Sequence, residues 1–91
     1  MTNELFKANV KRAGKLLKAM SNEHRLLILQ NLQETEKCVG DLEQIVGLSQ
    51  SALSQHLARL RRDDLVKTRR VAQTIYYSLA GDEVSSVIET L

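Results

Sequence analysis

Apolar residues recur along this chain at two periods, and the change from one to the other divides it. Phe6, Val10, Ala13, Leu17 and Met20 stand at alternating spacings of four and three, which predicts an amphipathic helix over about 3–20. Leu26, Leu29 and Leu32 continue the helical period through "SNEHRLLILQNL", with Ser21 or Asn22 as N-cap. The polar "QETEK" leads to a short third helix, "VGDLEQIV", whose inward side is Val39, Leu42, Ile45 and Val46. Gly47 suits the left-handed backbone that ends a helix. Leu53, Leu57 and Leu60 mark a fourth, with Ser49 as N-cap and Leu48 placed to pack on Leu53 as a hydrophobic staple.

Past Asp63-Asp64 the period shortens. "LVKTRR" and "TIYYSL" are rich in β-branched and aromatic residues, and with "VAQ" between them they predict a two-stranded hairpin. The turn holds no Gly, Asn or Asp, so it is the weakest part of that pattern. "GDEVSSVIETL" then starts a last helix with Val84, Val87, Ile88 and Leu91 on one side. The expected architecture is mainly α with a small β-hairpin, a winged helix-turn-helix forming one domain over 1–91. Its order is four helices, two strands and a helix, with the helix-turn-helix at about 39–63 and the wing at about 65–79.

The fourth helix raises the functional question. At 100° per residue Leu53, Leu57 and Leu60 form the buried stripe, while Ser51, Ser54, Gln55, Ala58 and Arg62 share the opposite side. An ordinary wet helix face carries Glu and Lys, but no acidic residue stands between Ser49 and Arg62. Small residues allow close approach to a major groove, and Gln or Ser can bond base edges. The helix N-terminus offers N–H groups to phosphate, and the arginines beyond the reading face sit against the backbone. His56 falls at the edge of the buried stripe, where packing with a polar tip at the rim fits better than base contact. His24 reads as a surface residue near the start of the second helix.

Charge sharpens this picture. The net charge is only +2, but residues 47–81 hold six basic residues against two acidic, and the remainder seven against nine. A solvated face and a dock for a polyanion both fit such a cluster. In the hairpin, Arg69, Arg70 and Gln73 make a basic tip slender enough for a minor groove, or an edge protected by charge. The first and last helices carry more aliphatic surface than the other elements can cover. Phe6, Val10, Ala13, Leu17, Val84, Val87, Ile88 and Leu91 are therefore expected to form a two-fold dimer interface. Such a dimer would set two reading helices one duplex turn apart, ~34 Å.

Composition agrees with an aliphatic helical protein: 43% hydrophobic, no proline and three aromatic residues. No long apolar run or signal segment appears, and a single cysteine, Cys38, excludes an internal disulfide, so a reducing cytosol is the expected location. No membrane partner and no cofactor are expected. No nucleophile–base constellation, paired catalytic carboxylates or phosphate loop stands out, so an enzyme is not expected.

With these motifs in place, the chain resembles the ArsR/SmtB family of winged helix-turn-helix transcriptional repressors, in its NolR/HlyU-like branch. The residues carrying the resemblance are "LLKAMSNEHRLLIL", "VGDLEQIVGLSQSALSQHLARLRRDDLVKTRR" and "AQTIYYSL". It implies a helical dimer with a β-wing that blocks promoters at a two-fold symmetric operator and leaves when an effector binds. It also implies base reading by Gln50, Ser51, Ser54 and Gln55. Val39, Ser49, Arg61, Arg62, Arg69, Arg70 and Gln73 then fall to the DNA backbone or the wing.

The family's sensing sites do not carry over. Where arsenic-type relatives have a run like Cys-Val-Cys-Asp-Leu-Cys, this chain has "CVGDLE", leaving Cys38 alone. A zinc-type pair on the last helix finds Gly81, Asp82 and Glu83, and its second pair would fall beyond Leu91. The thiol-switch branch has a cysteine where Gln30 stands. No metal site is expected and the effector is unknown; Cys38 reads as a small apolar filler or as an oxidisable thiol. The competing function is a winged-helix protein-interaction module, adaptor or antitoxin-like, without sequence-specific DNA reading.

Overall fold

The computed structural model describes residues 3–89. Leu91 and the side chain of Phe6, both assigned above to a dimer interface, lie outside the described residues. The elements in chain order are α1 (Asn3–Met20), α2 (Glu23–Glu34), β1 (Lys37–Cys38), α3 (Val39–Val46), α4 (Gln50–Arg62), β2 (Val66–Val71), β3 (Thr74–Leu79) and α5 (Glu83–Glu89). The helical order matches expectation, and the hairpin is joined by a third, two-residue strand that begins at the end of the supposed connection "QETEK". The sheet order is β1-β3-β2, with Lys37 opposite Tyr77 and Cys38 opposite Tyr76. Two residues are too few to show a period of two, so only tertiary pairing reveals this strand.

Local chemistry sets the helix ends. Asn22 Oδ1 accepts from the N–H groups of His24 at 2.9 Å and Arg25 at 3.1 Å, opening α2. Its C-terminal carbonyls are met by Lys37, whose Nζ donates to the Asn31 oxygen at 2.9 Å. Asp41 accepts from the Cys38 N–H at the start of α3, and Gly47, at φ 75°, closes it by donating to the Glu43 carbonyl. Ser49 Oγ accepts from the Ala52 N–H at 3.2 Å, opening α4. The Asp63-Asp64 pair ends α4 through a defined backbone geometry. Leu65 N–H reaches the Leu60 carbonyl and Asp64 N–H that of Arg61, while Asp64 takes φ 60°. These are the two bonds and the left-handed residue of a Schellman ending, which turns the chain sharply from α4 into β2.

The core is aliphatic. Ile28, Leu29, Leu42, Leu53, Leu57 and Leu60 are the largest fully buried side chains. Helix α2 is central, packed on α1, α3, α4 and α5. Two expectations need correction here. Val84 and Ile88, assigned to a dimer interface, belong to this chain's own core, and Val87 packs against it half-buried, because α5 lies on α2. Ile45, expected inside, is 40% exposed, since an eight-residue helix buries only the part of its stripe nearest its neighbours.

Helix α1 behaves differently. Leu16, Ala19 and Met20 pack on the body, while Val10 and Leu17 remain 54% and 59% exposed and Ala13 lies open between them. The described residues extend over 45 × 27 × 23 Å.

The hairpin closes through a two-residue loop, Ala72-Gln73, between the facing residues Val71 and Thr74. Ala72 takes φ 55°, a left-handed conformation that costs a residue with a Cβ about 1 kcal/mol or more. The strands impose it: only a loop with positive φ at its first position, or at both, matches their twist. Ala72→Gly is therefore expected to raise the unfolding free energy by up to about 1 kcal/mol, read as a higher urea midpoint.

Candidate nucleic-acid interface

Three elements build the candidate surface: the turn Gly47–Ser49, helix α4 and the hairpin β2–β3. The turn delivers α4 with its leucines inward, Leu53 and Leu60 fully buried and Leu57 nearly so. Gln50, Ser51, Ser54, Gln55, Ala58, Arg61 and Arg62 are all exposed, so the residues assigned to base reading lie together on one uncovered side. No protein partner occupies the side chains of Gln50, Ser51, Ser54 or Gln55 among the described residues. Ser49 is exposed, but its hydroxyl is committed to capping α4. Val39 begins α3 and packs half-buried against the core.

Strand alternation decides what the wing presents. Residues facing one another across β2 and β3 share a side of the sheet. Val66/Leu79, Thr68/Tyr77 and Arg70/Ile75 therefore share one side, and Lys67/Ser78, Arg69/Tyr76 and Val71/Thr74 the other. The first side is the one on the body: Val66 is buried, and Tyr77 lines a cleft of about 580 Å³ with Ser54, Ala58, Arg61, Arg62 and Asp64. Arg70 extends that side to the tip, where its Nε donates to the Ala72 carbonyl at 3.0 Å.

Arg69 points the other way and is tied down. It pairs with Glu36, with Nε 3.1 Å from Oε2, and its guanidinium lies 5.1 Å from the centre of the Tyr76 ring. The hydrogen bond from Arg69 holds the Glu36 carboxyl below its ordinary range. The two adjacent arginines thus do different jobs. Neither the role of Glu36 nor this division follows from composition, although the alternation of the strand already separates Arg69 from Arg70. Gln73 is exposed in the loop.

Of the two histidines, His56 lies where its helical position put it and His24 does not. His24 is half-buried, with its ring centre 5.8 Å from that of His56, so it is not a plain surface residue. His56 sits at the rim of the core, where burial, Arg25 and His24 push its pKa below the ordinary imidazole value. Cys38 is a free, half-buried thiol at the start of α3. Among the described residues, no group of three His, Cys, Asp or Glu is placed to hold a metal ion, and no helix is long and apolar enough to cross a membrane. A larger cleft of about 860 Å³ lies between α1, the turn Asp63–Leu65 that ends α4, and the turn Ala80–Glu83. Its charged lining mixes Arg12 and Lys15 with four carboxylates, and Arg12 pairs with Glu83 there.

Three helices leading into a capped, uncovered fourth, followed by a β-hairpin, define a winged helix-turn-helix protein. Residues 22–68 match the profile of the bacterial regulatory protein arsR family. The chain is 53% identical over 91 residues to the transcriptional activator HlyU of Vibrio cholerae, covering all of this chain and 84% of that protein. The structure of reduced HlyU superimposes with a TM-score of 0.89 over 97% of this chain and 93% of that one, at 53% identity. The nodulation protein NolR of Rhizobium meliloti is 56% identical over 79 residues, 87% of this chain and 65% of that protein's own length. A solution structure of a homodimeric winged helix-turn-helix DNA-binding domain, Mb0332 of Mycobacterium bovis, matches with a TM-score of 0.85 at 27% identity, covering 99% of this chain and 82% of that one. The chain belongs to the arsR family of bacterial regulatory proteins.

Proposed function

We propose that the protein is a homodimeric, sequence-specific DNA-binding regulator of transcription that represses by occluding promoters at a two-fold symmetric operator. The observation that carries this reading is the uncovered side of α4, free of acidic residues from Gln50 to Arg62. Gln50, Ser51, Ser54 and Gln55 read base edges in the major groove. Arg61 and Arg62 meet the backbone, and the wing tip with Arg70 and Gln73 reaches the neighbouring minor groove. The exposed stripe Val10, Ala13 and Leu17 of α1 supports pairing of two copies, and the homodimeric Mb0332 domain is similar over almost the whole chain. This reading places the protein in the bacterial cytoplasm, on the nucleoid, and gives it no catalytic role. Relatives include a named activator, HlyU, so repression is a statement about where the operator lies on the promoter.

Selection of binding sites from random duplex DNA tests the reading. The expected result is a two-fold symmetric motif with half-sites one duplex turn apart, ~34 Å. Enrichment of no motif would overturn sequence-specific binding. The division within the wing gives a second expected outcome. Arg70→Ala should weaken binding to every sequence and flatten the dependence on salt by about one unit of slope. Arg69→Ala and Glu36→Ala should leave that slope unchanged, as measured by titration at several salt concentrations.

A further inference from the structure

We propose that Arg25 is a positioning residue for the reading helix, and that it holds α4 only while His56 is neutral, so that operator binding weakens on acidification. The proposal rests on the DNA-binding reading above, and it starts from one guanidinium, carried by α2, that touches two other helices. Arg25 lies in the first turn of α2. Its Nε donates to the Ala19 carbonyl at 2.8 Å and a terminal nitrogen reaches the Lys18 carbonyl at 3.4 Å. Both are last-turn carbonyls at the negative dipole end of α1, and that of Lys18 also accepts from the Ser21 hydroxyl at 2.7 Å. The other terminal nitrogen lies 3.5 Å from Nδ1 of His56 on α4. Arg25 thus links α1, the helix with the unpaired aliphatic stripe, to α4, the helix with the uncovered polar side.

That last contact has a chemical condition. A guanidinium only donates, so Nδ1 must carry a lone pair, which requires the neutral imidazole protonated on Nε2. The surroundings of His56 favour the same state. From α2 it faces Arg25 and the His24 ring. Its own helix supplies Arg59 one turn on, whose Nε is buried without a hydrogen-bond partner, and then Asp63. Asp63 is the one carboxylate of this group, and it already lies 3.7 Å from Arg59 and 4.0 Å from Arg62. From α1 come the Ala19 carbonyl, which Arg25 occupies, and the Lys18 carbonyl, which it shares with Ser21. A proton on His56 would remove the acceptor and add a cation beside Arg25.

Burial first, then Arg25, then His24, lowers the His56 pKa below 6.5. The packed arrangement therefore binds fewer protons than one with α4 released. Its advantage is complete above about pH 6.5 and is lost as the pH falls through the lowered value. Ordinary electrostatics predicts the opposite sign for DNA, because protonated histidines add charge that attracts phosphate.

The test measures affinity for the selected operator between about pH 7.5 and pH 5.5 at fixed ionic strength, for the parent and for His56→Gln, whose Oε1 keeps an acceptor that does not titrate. The parent is expected to lose affinity as the pH falls through that range and the variant not to. Arg25→Lys, which keeps the charge but cannot reach α1 and α4 together, should bind weakly even at the upper pH. Parent affinity that is constant or rises on acidification overturns the proposal, as does a His56→Gln profile that follows the parent. An imidazole titration followed by NMR, with His24→Gln to assign the signals, decides the contact without DNA. A His56 midpoint below 6.5 that rises in Arg25→Ala supports it, and an ordinary midpoint sinks it. Failure of every form to bind DNA at the upper pH would instead remove the functional reading, leaving the titration to judge the Arg25–His56 contact.

Discussion

Leu57→Ala should cost about 2–5 kcal/mol of unfolding free energy, a large share of the ~5–15 kcal/mol available to a domain of this kind. The reason is the site's position. Leu57 is 1% exposed at the centre of the inner stripe of α4, between the fully buried Leu53 and Leu60. Every residue of the described core is aliphatic or Met, with no aromatic, polar or charged residue among them, so loss of a side chain there leaves a cavity. Neighbouring helices are held by short turns and caps, which limits how far they can collapse into the gap. Urea unfolding measures the loss, and a shift below about 1 kcal/mol would show that the site is loosely packed. Leu17→Ala provides the contrast. Leu17 is 59% exposed on α1, so the same chemistry there should barely affect the single chain while raising the concentration at which copies pair, read by sedimentation.

Gln55→Ala should have the reverse profile. The side chain is exposed and has no partner within the described protein, and alanine is the better helix former. Stability should therefore hold or rise slightly. Under the DNA-binding reading the substitution removes a bidentate pair to a base edge, worth about 1–3 kcal/mol of discrimination. Affinity for the selected operator should fall by roughly 5- to 150-fold, with little change for unrelated duplexes. Ser54→Ala should act in the same direction. If both variants match the parent on every operator tested, the uncovered side of α4 does not read bases, and an adaptor that binds another protein becomes the better reading. Measuring unfolding and gel shifts on one preparation separates the two kinds of loss.

The contrast between Leu57 and Gln55 is legible in the amino-acid sequence itself. Helical period separates 53, 57 and 60 from 51, 54, 55 and 58 whatever surrounds the helix, and Ser49 and Gly47 mark neighbouring helix ends by local chemistry. The hairpin strands are legible from β-branched and aromatic residues, but their turn is not. Ala72 occupies a conformation that no alanine advertises, imposed by the pairing on either side. Strand β1 leaves no trace in the pattern, because two residues carry no periodicity. Val84 and Ile88 read as an outer surface because an amphipathic stripe states that a face is buried without stating against what.

The order of side chains alone determined the helices, their caps, the wing strands and the polar side of α4, because each depends on contacts within a few residues. Only the folded arrangement decided that α5 spends its apolar face on α2, that Arg69 is held by Glu36 while Arg70 is left toward the tip, and that Arg25 meets His56. Those outcomes join residues far apart in the chain, 33 positions for Glu36 and Arg69 and at least 49 for α2 and α5. Such pairings are set by how whole elements pack, which no local pattern records.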